Sequence, residues 1–455
     1  MRRAATLWAR HWVALAPAIA LAASLRAEPV RANGAFPDSL TVLLPEDRPD
    51  QIFVATNFGL LRSDDAGASW GVVCEEAIGT LAELYAIGPA PSHRVLAVTL
   101  DGLVVSNDDA CSFRLVPPPL VFPSDAFVDP ADDQHVLAVA EVERSANGRA
   151  IQGIFESTDG AESFAWTPLY MAEETLNFTG LEIARSDPRT LYATLYEFVG
   201  AVGARLLRSH DGGKSFGQVD LGGVLGRRLA RILTIDPADP ERVYLRAYDS
   251  SMKEQLAIFD GATASVEIVF DLPHRMSAFL LRSDGALIVG TREDGGYIST
   301  DGGKSFARWR GAPHLRALGE RAGRLYAVAD DLVDGYALAA SDDLGESWQP
   351  LLRYADVSGP LACGELPVIC EQSWSMVQQR LDAGPGEGEV PIADAGARRD
   401  AGAVARADGG SAHERESGCD CRLAPRSSAG SSSAPAIAVA ALAAIALSRR
   451  RRGRT

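Results

Sequence analysis

One octapeptide, written six times, constrains this chain more than any other feature. It reads SDDAGASW at Ser63, SNDDACSF at Ser106, STDGAESF at Ser157, SHDGGKSF at Ser209, STDGGKSF at Ser299 and SDDLGESW at Ser341. All six fit Ser-x-Asp-x-(Gly/Ala)-x-Ser-(Trp/Phe). A motif repeated at this spacing marks an architecture in which each unit buries its apolar faces against the next. The residue types describe a tight turn. Asp in the third place accepts backbone N–H groups, and Gly two residues later takes the left-handed conformation that other residues resist. The Ser hydroxyl adds a second local bond, and the closing Trp or Phe opens a strand and packs inward. At Ala110 and Ala161 the Gly is missing, so a strained or reshaped turn is expected there.

The flanks turn the motif into a fold. Apolar runs joined by turn residues precede most copies, as in RVLAVTLDGLVVS before Ser106 and GRLYAVADDLVDGYALAAS ending at Ser341. Each unit reads as three strands, the octapeptide and a fourth strand, which is one antiparallel propeller blade. The motif aspartates are Asp65, Asp108, Asp159, Asp211, Asp301 and Asp343, at intervals of 43, 51, 52, 90 and 42 residues. The fourth interval is about twice the others, so a blade without the motif is expected inside it. IDPADPERVYLRAYD and LAIFDGATASVEIVF supply its strands, with Asp260-Gly261 in the motif's place. The fold class expected is all-β: a seven-bladed propeller over residues 33–352, with six blades and a long insertion as the alternative.

The octapeptide resembles the Asp-box, or BNR, repeat of sialidases and related propellers. The resemblance implies a fold and no single activity, because such propellers host sialidases, other glycoside hydrolases, sorting receptors and assembly factors. It also implies that the six aspartates are structural and sit at blade edges, away from the central channel. A sialidase needs an arginine cluster, a Tyr activated by Glu, an acidic proton donor and an N-terminal Phe/Tyr-Arg-Ile-Pro motif. The corresponding stretch here, AFPDSLTVLL, has no Arg. Other glycoside hydrolases need two carboxylates about 5–10 Å apart, and 60 acidic residues leave that pair unidentified. Glu75, Glu76 and Tyr196-Glu197 qualify only in lying outside a motif. The leading expectation is a non-catalytic module that binds a protein or glycan, with a secreted glycoside hydrolase as the rival.

Charge and cysteines narrow the partners. The chain is formally −16, with +4 in residues 1–32 and +7 in residues 422–455, which leaves about −27 between them. So acidic a body is repelled by nucleic-acid phosphate and anionic lipid, which excludes both as partners. No cofactor is implied. Calcium under DPADD or DPADP is a further reading, but Asp-Pro turns more simply satisfy their own backbone. Cys74, Cys111, Cys363 and Cys370 are expected as disulfides. Cys363 and Cys370 bracket a short loop and are expected to pair with each other as the staple of a cap over residues 353–380, leaving Cys74 for Cys111.

The ends speak of export. A basic start, the uncharged run VALAPAIALAASL and small-residue exits up to Ala32 read as a signal peptide over residues 1–32. Residues 381–418, rich in Ala, Gly, Asp and Arg, read as a disordered stalk. Residues 419–455 hold Cys419 and Cys421, a polar spacer, an apolar helix from Ala434 to Leu447 and four consecutive arginines. That layout resembles the myxobacterial C-terminal sorting signal MYXO-CTERM. The resemblance implies that a sorting protease and lipidation machinery remove the tail and anchor the protein to the outer surface membrane through Cys419 or Cys421.

Overall fold

The structure, a computed structural model, describes residues 37–384 except 81, 83, 201 and 250–252. The expected signal peptide, nearly all of the stalk and the tail with Cys419 and Cys421 lie outside the described residues. Among the described residues, twenty-eight strands form seven four-stranded antiparallel sheets, each built from four strands consecutive in the chain. Blade 1 is β1 (Ser39–Leu43), β2 (Ile52–Thr56), β3 (Gly59–Ser63) and β4 (Gly71–Cys74). Blades 2 to 7 span residues 84–115, 121–171, 176–220, 229–272, 276–309 and 317–352. Blade 5 is the one without the octapeptide, so the doubled interval does hold a seventh blade and the six-bladed alternative is excluded.

The first strands are β1, β5 (Leu84–Ile87), β9 (Val121–Val128), β13 (Leu176–Ile183), β17 (Leu229–Asp236), β21 (Met276–Leu281) and β25 (Ala317–Arg321). Each touches the first strand of the blade on either side, and β25 returns to β1, so they ring a central axis. Both faces of a blade are covered by neighbours. That is why second strands read as unbroken apolar runs: Ile52–Thr56, Val95–Thr99 and Leu287–Thr291 are buried at every residue. Seven apolar layers fill the seven gaps between neighbouring blades. Burying one such Val, Leu, Ile or Phe stabilises by about 1.5–3 kcal/mol.

No blade mixes strands from the two ends of the chain, so blade 7 must be held to blade 1 in other ways. An apolar layer joins Ile52 and Leu61 to Tyr326 and Leu338, and Trp374 packs on it. Arg321, buried on blade 7, donates to the carbonyls of Pro45, Arg48, Pro49 and Gln51 in blade 1, the last at 2.7 Å. After the last strand the chain lies along the outer edge of blade 1. There Val72 N–H donates to Gly359 O at 2.9 Å and Leu361 N–H to Val72 O at 3.0 Å, a parallel addition to β4. Two short helices follow, α1 (Leu366–Ile369) and α2 (Glu371–Ala383). The second runs three residues into the segment assigned to the stalk. Among the described residues no helix is long and apolar enough to cross a membrane.

The four cysteines are all bonded, but not in the expected pairs. Cys74 joins Cys370 and Cys111 joins Cys363, with Cα–Cα distances of 5.4 and 5.6 Å. The supposed loop between Cys363 and Cys370 is filled by the α1 turn, which puts the two sulfurs at its opposite ends. The bridges therefore tie the segment after blade 7 to blades 1 and 2.

Candidate functional site

The six octapeptides share one hydrogen-bond pattern. The first Ser hydroxyl donates to Asp Oδ1 at 2.7–2.8 Å, and its oxygen accepts the N–H of the fifth residue at 2.8–2.9 Å. Asp Oδ1 accepts the N–H of the second Ser at 2.8–2.9 Å, while Oδ2 accepts its hydroxyl at 2.5–2.6 Å. The second Ser is thus a partner that the turn argument had not assigned. Its hydroxyl bond is foremost in holding Asp211, Asp301 and Asp343 down to about 2.

Ala110 and Ala161 do adopt left-handed φ, 66° and 62°, yet their N–H bonds to Ser match those of the Gly copies. The preceding position is left-handed too, at Ala66, Asp109 and Leu344. In blade 5, Asp260 accepts the Thr263 N–H instead.

These turns couple blades. Arg62 donates to Asp109 O, Arg114 to Ala161 O, Arg208 to Gly261 O and Arg242 to Gly302 O, each reaching from one blade to the turn of the next. Blade 5 keeps the link through Gly261 although it lost the motif. Trp70 and Trp348 reach the other way, donating to Leu351 O and Gly311 O. All these groups belong to the scaffold.

The inner strands carry acids whose charged form burial opposes. Burial pushes Asp125 up to about 6 and Glu182 up to about 7. Asp125 accepts Leu181 N–H at 3.1 Å from blade 4, and Glu182 accepts Ile235 N–H at 3.0 Å from blade 5. Apart from these two, Glu254 at the start of the third strand of blade 5 and Glu320 on the first strand of blade 7 accept the N–H groups of Met276 and Ser283, both at 2.8 Å. Each acid stitches a neighbouring blade's main chain. Glu75 opens a single helical turn after the outer strand of blade 1, and Glu197, paired with Arg205, ends a strand of blade 4. The structure does not bring these two together.

Asp129, Asp132, Asp236 and Asp239, in the two acidic turns, accept N–H groups of their own turns at 2.8–3.0 Å. Among the described residues no three His, Cys, Asp or Glu side chains group to hold a metal.

One cleft of about 470 Å³ is built by several blades. It lies where the turns after the first strands of blades 1, 2, 3 and 4 meet. These turns share a face with the octapeptides, since Ala66, Gly160 and Gly212 donate their N–H groups to Asp50, Gln134 and Arg189 in them. Pro45, Ile87, Pro89, Phe127 and Val128 form apolar walls, with Glu46, Asp47, His93 and Arg185 beside them. His93 Nε2 lies 2.5 Å from Asp47 Oδ1, and Arg185 Nη2 lies 2.6 Å from Glu46 Oε1. The sequence alone does not point to this cleft, because its residues come from four separate turns.

The fold and this mouth define a seven-bladed β-propeller. No protein-family model matches the chain, and no curated protein sequence matches it. Among solved structures it is similar to the GH74 enzyme of Niastella koreensis, at 13% identity over 70% of this chain and 55% of that one, with a TM-score of 0.51. A puromycin-hydrolyzing peptidase of Mycobacterium tuberculosis gives 12% identity, 74% and 55% coverage and a TM-score of 0.50. YCF48 of Cyanidioschyzon merolae gives 12%, 65% and 93%, with a TM-score of 0.47. The chain spans about half the length of the first two, and likeness at such identity shows the fold alone.

Proposed function

We propose that this protein is a non-catalytic propeller of the Asp-box kind that binds a protein or glycan ligand at the mouth of its ring. On this reading it is exported and held at the outer cell surface by its C-terminal sorting tail. The observation that carries the binding reading is the cleft, walled by apolar residues from four blades and edged by a few charged groups, which is how ligand sites are commonly made. The rival is a glycoside hydrolase, favoured by Asp125 and Glu182, two acids on adjacent inner strands that hold their protons to near neutral pH. Against it, both carboxylates are engaged by main-chain N–H groups of the next blade, a use that needs no substrate.

The test is to present the purified protein with a glycan array and with cell-surface extracts, and to measure both retention and release of reducing sugar. Retention without bond cleavage, lost in Ala131→Trp, which fills the cleft from an exposed turn, is the expected result. Sugar release that vanishes in Asp125→Asn or Glu182→Gln establishes the hydrolase instead.

A further inference from the structure

The mouth of the ring is already crossed by one side chain. Arg185 comes from the turn of blade 4 and meets Glu46 on blade 1 at 2.6 Å, although blades 2 and 3 stand between them in the ring. We propose that the cleft takes a cationic side chain, a guanidinium or ammonium on an extended segment of a partner protein, and that Arg185 holds its place in the free protein. The proposal rests on the binding reading above and names the ligand group for that site.

The acid side of the cleft does not depend on Arg185 alone. Asp47 stands beside Glu46, and its hydrogen bond to His93 holds it below the usual carboxylate range, so a second negative charge persists at the rim. The apolar walls of Pro45, Ile87, Pro89, Phe127 and Val128 suit the methylene stem of Lys or Arg, which lies on apolar surface while its head reaches a polar partner. An anionic ligand meets the carboxylates of Glu46 and Asp47, with Arg185 already on the first and the His93 imidazole on the second. The chain's formal charge of −16 attracts the cation and repels the anion over longer range.

Exchange is easy because the resident pair is weak. The Arg185 and Glu46 side chains are 47% and 71% exposed. Exposed pairs are typically worth about 0.2–1 kcal/mol, or about 1.4- to 5-fold in an equilibrium constant. Arg185 therefore competes with the ligand rather than sealing the site.

The probes are two end-blocked tripeptides, acetyl-Gly-Arg-Gly-amide and acetyl-Gly-Glu-Gly-amide, titrated into the full chain by calorimetry or NMR. Arg185→Gln tightens the arginine peptide by about two- to fivefold, because it removes the competitor. Glu46→Gln weakens it by about 1.4- to fivefold, and Asp342→Asn, another highly exposed acid, leaves it unchanged. Opposite signs at Arg185 and Glu46 separate a site from general attraction to an acidic surface. Shifts of the same sign, shifts no larger than that of Asp342→Asn, or an arginine peptide that does not bind overturn the proposal. Preference for the glutamate peptide, abolished by Arg185→Gln, overturns the cation assignment but leaves the binding reading standing. That reading falls separately, if Ala131→Trp leaves retention of the natural ligand intact.

Discussion

Removing the two disulfides one at a time and then together has unequal consequences, because both close the same ring. In the chain-entropy account a bridge lowers the entropy of the unfolded chain by an amount that grows with the logarithm of the loop it closes. With Cys111–Cys363 intact, Cys74–Cys370 closes only the 37 residues on one side and the seven on the other. A loop of about 44 residues corresponds to about 4 kcal/mol. The same holds for Cys111–Cys363 while its partner bridge remains. Once one bridge is gone, the survivor closes 252 or 296 residues, worth about 5.5 kcal/mol.

Cys74→Ala with Cys370→Ala, or Cys111→Ala with Cys363→Ala, thus costs about 4 kcal/mol, and removing all four costs about 9–10. The larger loss is on the scale of a whole domain's stability. Urea unfolding followed by tryptophan fluorescence reads this, since Trp70 and Trp374 both sit in the layer between blades 7 and 1. A variant lacking all four cysteines that unfolds at the same midpoint as either two-cysteine variant refutes the reasoning.

Arg321→Met leaves the carbonyls it serves in blade 1 without their donor and costs about 1–3 kcal/mol in the same assay. Gly345→Ala is destabilising because a Cβ there lies 2.4 Å from Trp309 Cζ2, whereas Ala161→Gly, at a φ of 62°, stays within about 1 kcal/mol of the parent. Stability also varies with pH. Asp211, Asp301 and Asp343, held near 2, add stability above the unfolded carboxylate value, and it is lost as pH falls through about 2. Asp125 and Glu182, raised to about 6 and about 7, bind more protons folded than unfolded, so stability declines as pH rises from about 4 towards 7. The melting temperature peaks near pH 4–5, and Asp125→Asn with Glu182→Gln flattens the decline on the alkaline side. An unchanged profile removes this account.

The blade count was legible because the octapeptide is local: its bonds span at most four residues, so spacing alone locates each hairpin. The doubled interval between Asp211 and Asp301 even locates blade 5. What joins blades is not local. Arg62 and Arg208 stand directly before Ser63 and Ser209, a position that hinted at a shared task, but Arg114 and Arg242 do the same work from other places. The cysteines misled for a related reason. The six residues between Cys363 and Cys370 read as a loop, and only the α1 turn shows that the sulfurs face different blades. The cleft left no trace in any single stretch, since Glu46 and Arg185 meet only when four turns are set side by side.

The bridging of first blades to last residues also bears on how the chain matures. A chain made from its N-terminus presents Cys74 and Cys111 long before Cys363 and Cys370 exist. Among these four, any bridge made before the last two arrive can only join Cys74 to Cys111, the pair left over in the sequence reading. Reaching the native connectivity then requires thiol–disulfide exchange once the last residues arrive. The seven blades are therefore a ring whose clasp is made last.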